Sequence, residues 1–109
     1  MKSEDSITET QAAIYDECSK LQDMLLQKNR RYGDSALNPM RIFSSASPIE
    51  QIRVRIDDKL SRIVSSQLDD FEDVILDLLG YLILLRIAET KAKLAAQAAL
   101  REEVLSTSL

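Results

Sequence analysis

The chain has 109 residues and a net charge of −4, with 45% apolar and 29% charged residues, one cysteine and no histidine. That length supports a single domain with a modest core, and the apolar share is too high for a disordered chain. Without histidine, and with Cys18 alone, there is no Ser/His or Cys/His nucleophile, intrachain disulfide or cysteine zinc cluster, and the negative balance argues against wrapping duplex DNA or coating an anionic membrane.

Two glycines and two prolines leave material for few turns, so a small number of long elements is expected. In chain order, Ser6 and Glu9 have capping-box spacing, and Ile14, Cys18, Leu21 and Leu25 repeat every three or four residues, which predicts a helix over about 7–29. Residues 31–47 carry Gly33 and Pro39 among Asp, Asn and Ser, and read as a loop long enough to be functional. Ser47, Pro48 and Glu50 then supply an N-cap, a first-turn proline and a capping acid for a second helix over about 48–66, with Ile49, Ile52, Ile56, Leu60 and Ile63 facing a core. A turn at 67–70 and a cap at Asp70 lead into a third helix from about 71 to 90. The Ala-rich stretch to Leu105 is either its extension or a fourth helix.

Phe71, Val74, Leu78, Leu82 and Leu85 cover one side of the third helix, and Ile75, Leu79, Ile83 and Leu84 cover much of the rest. A helix apolar nearly all round is buried all round, so an all-α, self-associating bundle is expected: one domain over 1–109 with an Ala-rich helical tail. The apolar run near residue 80 is about half of the roughly 20 residues needed to span a bilayer, and cytoplasmic placement is the expectation.

Charge is unevenly distributed. Residues 1–27 sum to −4, residues 28–62 to +4 and residues 63–109 to −4. Within the basic middle, Arg55, Lys59 and Arg62 are spaced four and three apart on one side of the second helix, a rail suited to phosphate oxygens; the alternative is a solvated face with pairs such as Asp58 to Arg62. Just upstream, Lys28 and Arg31 add positive charge. Tyr32 and Phe43 are candidates to stack on a base, and Gly33, Asp34 and Asn38 are candidates to shape the loop around a ligand.

Asp77 interrupts the most apolar stretch of the chain, where an ionised carboxylate needs a cation, a metal or hydrogen-bond donors. Asp73, Asp77 and Tyr81 lie four apart along one line of the third helix, with Glu72 beside them, and two carboxylates at that spacing can share a divalent cation such as Mg2+. The alternative has Asp73 solvated at the helix start and Asp77 paired with an Arg of the second helix.

The order Lys28-Asn29-x-x-Tyr32-Gly33-Asp34-Ser35-x-x-Asn38-Pro39, then Asp58-Lys59-x-x-Arg62, then Glu72-Asp73-x-x-x-Asp77-x-x-Gly80-Tyr81, resembles small phage and prophage proteins of the nucleotide-modification-associated group, over about residues 20–88. These are in turn similar to the MazG-like all-α nucleotide pyrophosphohydrolases. The resemblance implies an all-helical oligomer, a nucleotide or nucleotide-derived ligand, and Mg2+ held by acids of two helices, here Glu72, Asp73 and Asp77. The chain departs from the MazG pattern on the second helix, where Asp57 and Asp58 are followed by Lys59 with no third acid. Exchanging acids for cations keeps phosphate affinity and removes metal positions, so capture of a phosphorylated nucleotide, as in sequestration of a host defence signal, is expected ahead of Mg2+-dependent hydrolysis. A purely structural helical oligomer is the third expectation.

Overall fold

A computed structural model describes residues 8–66 and 73–107. The described residues form three α-helices and no strand: α1 (Glu9–Tyr32), α2 (Pro48–Val64) and α3 (Val74–Thr107). The chain divides into two units, Met1–Gly33, built on α1, and Asp34–Leu109, built on α2 and α3.

Thr8 caps α1. Its hydroxyl accepts from the Gln11 backbone N–H at 3.1 Å, while the Gln11 side chain accepts from the Thr8 N–H at 2.9 Å. The capping box thus forms two residues later than the Ser6 and Glu9 spacing predicts, and Ser6 lies outside the described residues. At the other end α1 continues three residues past the expected stop. Lys28, Arg30 and Arg31 are good helix formers, and Arg30 and Arg31 in the last turn suit the negative end of the helix dipole. Gly33 ends the helix with φ 64° and ψ −152°, a backbone region that is essentially glycine's alone. The apolar stripe of α1 has no fully buried member: Leu21 and Leu25 are half-buried, and Ile14 and Cys18 are exposed.

In the second unit, the Ser47 hydroxyl accepts from the Glu50 N–H at 3.2 Å and Pro48 occupies the first turn, as the sequence predicts. The helix stops at Val64, two residues early, where Ser66 adopts a left-handed φ of 56°. The expected cap of α3, Asp70, lies outside the described residues together with Phe71 and Glu72. Asp73 caps instead, its carboxylate accepting from the Leu76 N–H at 2.9 Å.

α3 runs unbroken for 34 residues, so the Ala-rich tail is its extension. At 1.5 Å per residue α3 is about 51 Å long and the 17-residue α2 about 25 Å, so α2 can flank at most half of it. The packing follows that arithmetic. Among the described residues, Ile52 of α2 and Val74 and Ala88 of α3 are the buried apolar side chains, and every described residue after Ala88 is exposed. None of the described helices is long and apolar enough to cross a membrane.

One feature of α2 departs from the expected core stripe. Ile49 and Ile56 are half-buried beside Ile52, but Leu60 and Ile63 are 45% and 41% exposed. Counting four and seven residues on from Ile52 gives Ile56 and Lys59, and it is Lys59 that turns inward. On α3, Leu82, expected on the covered side, is exposed, whereas Tyr81 is half-buried.

Candidate functional site

Between α2 and α3 the Lys59 ammonium lies 3.5 Å from an oxygen of the Asp77 carboxylate, with the two side chains 12% and 20% exposed. The cation comes from the covered line of α2, and the acid from the line of α3 that begins at Val74 and ends at Ala88. The acid in the apolar run is therefore compensated by a cation of the second helix, as the ion-pair alternative expects, but the partner is a lysine rather than an arginine. A lysine reaches a recessed carboxylate as a compact charge on a flexible stem, so its methylenes can pack beside Ile52 and Ile56 while the ammonium meets the acid.

The three cations expected to form one rail have different surroundings. Lys59 is recessed. Arg55 is exposed. Arg62 is 39% exposed and lies 3.5 Å from Asp58 four residues earlier, while Arg53 pairs with Glu50 at 2.7 Å. A recessed ammonium thus has one guanidinium a turn before it on α2 and another a turn after it.

Asp73 and Asp77, expected as metal ligands, have other partners: Asp73 caps α3 and Asp77 faces Lys59. Glu72, the third proposed ligand, lies outside the described residues. Among the described residues no group of three or more acidic or cysteine side chains is gathered so as to hold a metal ion.

The segment before α2 has local order that composition alone does not reveal. The Asp34 carbonyl accepts from the N–H groups of Leu37 and Asn38, and the Asn38 amide donates to the Asp34 carboxylate, which closes a single helix-like turn before Pro39. Further on, the Arg41 guanidinium and the Gln51 side-chain amide both donate to the Ala46 carbonyl, tying the segment to the first turns of α2. Phe43 is 100% exposed, with Met40 and Ile42 largely exposed beside it. Gly33, Asp34 and Asn38 therefore shape the segment, and Phe43 presents a free ring face.

In the first unit, Lys28 lies on α1 as expected, and Arg31 and Tyr32, expected in the loop, lie on its last turn. The Arg31 guanidinium lies 5.4 Å from the Tyr32 ring centroid, a cation–π distance. Composition misses the Arg41 contact altogether. The inward turn of Lys59 was accessible from the spacing of Ile52, Ile56 and Lys59.

No protein-family model, curated protein or solved structure matches the chain.

Proposed function

We propose that this chain captures a phosphorylated nucleotide, with Lys59, Arg55 and Arg62 of α2 as the phosphate ligands and Phe43 as a stacking surface for the base. The observation that carries the proposal is the ammonium of Lys59, held by Asp77 with little exposure between two arginines on the same helix. Lysine and arginine are both phosphate ligands, the first as a point charge and the second through bidentate geometry. Recessed charge also interacts more strongly than charge in open water. The likeness to the phage nucleotide-modification-associated group points to the same ligand class, and sequestration of a nucleotide signal is a role consistent with it. Mg2+-dependent hydrolysis is the competing reading. The commitments of Asp73 to a helix cap and of Asp77 to Lys59 favour capture over turnover.

The test is incubation with a mixture of mono-, di- and cyclic nucleotides and nucleoside triphosphates in the presence of Mg2+, followed by desalting and mass spectrometry of what is released on heating. Capture predicts an intact nucleotide recovered from the protein. Released pyrophosphate in place of retained ligand would favour the hydrolase, and neither result would leave a helical interaction protein. Because Lys59 also supports the fold, the ligand role is probed at Arg55→Gln and Arg62→Gln. Each should weaken binding by roughly tenfold or more, the worth of one charge-assisted hydrogen bond.

A further inference from the structure

The Phe43 ring is wholly exposed, so it packs against neither α2 nor α3, and a base seated over the cations of α2 is not yet stacked on it. The segment that carries the ring has held ends and a free middle. Pro39 and Ala46 are half-buried, whereas residues 40–45 between them are all exposed. The turn from Asp34 to Asn38 closes just before Pro39, and the Ser47 cap starts α2 just after Ala46. Between those ends the Arg41 guanidinium donates to the Ala46 carbonyl and folds the middle back on itself. The Gln51 side-chain amide donates to the same oxygen at 3.5 Å. Arg41 can therefore leave without orphaning that carbonyl. It gives up an exposed hydrogen bond to a neutral acceptor, a contact worth roughly two- to tenfold in an equilibrium.

We propose that residues 40–45 are a strap, clasped open by Arg41 on Ala46, that closes along the start of α2 and lays Phe43 on the base of a bound nucleotide. The proposal rests on the capture reading and sets the direction in which the ligand lies. Three extended residues carry the chain about 10 Å from Ala46. At 1.5 Å per residue, Ile52 lies about 9 Å from Ala46 along α2, Arg55 about 14 Å and Arg62 about 24 Å. Phe43 thus reaches the turn between Ile52 and Arg55, and not the level of Arg62. With phosphates along Arg62, Lys59 and Arg55, the base must point toward the N-terminus of α2, because the reverse orientation leaves it beyond the strap. Closure is driven by the ring meeting the base and leaving water. A phosphate chain without a base gives the strap nothing to close on.

The test uses the full chain, with ATP and base-free inorganic tripolyphosphate as probes. The sequence has no tryptophan, so Phe43→Trp makes the strap the one source of indole fluorescence. ATP should quench and shift that emission, and tripolyphosphate should bind without doing either. Phe43→Ser should weaken ATP binding roughly tenfold, the worth of one stacked base, and leave tripolyphosphate unchanged. Arg41→Met keeps the side-chain stem and removes the clasp, so it should tighten ATP binding roughly threefold by raising the share of strap free to close, again with tripolyphosphate unchanged. ATP binding with unmoved emission, ATP affinity indifferent to Arg41→Met, or equal weakening of both probes by Arg41→Met would each overturn the strap while capture stands. If neither probe binds, capture itself fails and the strap falls with it.

Discussion

Replacing Lys59 by Met removes the ammonium and keeps most of the apolar stem, which isolates the charge that Asp77 faces. At the observed 3.5 Å, Coulomb's law gives an attraction of about 5 kcal/mol at an effective dielectric of about 20, and about 1 kcal/mol in bulk water. With the side chains 12% and 20% exposed, the pair lies nearer the first value. Asp77 nevertheless keeps some access to water, so Lys59→Met should lower stability by about 3 kcal/mol, at the low end for breaking a buried pair. For a chain of this size that is a drop in Tm of about 10–20 °C. Asp77→Leu alone should cost a similar amount by stranding the lysine. The double variant Lys59→Met/Asp77→Leu should lose clearly less than the sum of the two single losses, because neither charge of the pair is then left facing an apolar replacement. Urea unfolding of the four proteins, followed by circular dichroism, completes the cycle. Strictly additive losses, with the double variant worst of all, would refute the pairing argument.

Other outcomes follow from the same geometry. Asp58→Asn removes an exposed i, i+4 partner of Arg62 and should change stability by no more than about 0.5 kcal/mol, read in the same urea assay; a loss like that at Asp77 would mean that exposure is a poor guide to the worth of an ion pair here. Gly33→Ala should cost about 1–2 kcal/mol although an added Cβ would meet nothing within 4 Å, because the penalty comes from φ 64° rather than from crowding. An unchanged melt would contradict that conformation. Ser66→Gly should raise stability by about 0.5–1 kcal/mol by relieving a left-handed serine, and a destabilised variant in thermal melts would count against it.

The helices were legible because their signals are local. Ser47 and Pro48 start α2 where the sequence says, and the charge break at Asp77 marks the acid that sits between helices. Boundaries shifted where two signals competed. Ser6 and Glu9 offered a capping box, but Thr8 and Gln11 offered another two residues on, and only one can close. The loop began later than expected because a glycine's backbone freedom, not the polarity of Arg31 and Tyr32, ends α1. The tail beyond residue 90 was ambiguous because alanine favours helix wherever it stands and gives no stop signal, and α3 indeed runs on to Thr107.

The candidate site was legible in kind and not in detail. Basic residues near an apolar acid announced a pairing, yet Arg55, Lys59 and Arg62 read as equals from spacing alone. What separates them is which residue continues the line of Ile52 and Ile56, a tertiary fact about where α3 lies. Composition also hid the contacts that order residues 34–46, since an Asp to Asn turn and an arginine on a carbonyl leave no periodic trace.

The most direct test of the account is a calorimetric titration of the protein with a nucleoside triphosphate beside the matching unphosphorylated nucleoside, each at about 50 mM and about 200 mM salt. Capture by recessed and flanking cations predicts binding of the triphosphate that weakens as salt rises, and no measurable heat from the nucleoside. Equal binding of the two, or affinity for the triphosphate that salt leaves unchanged, would contradict it.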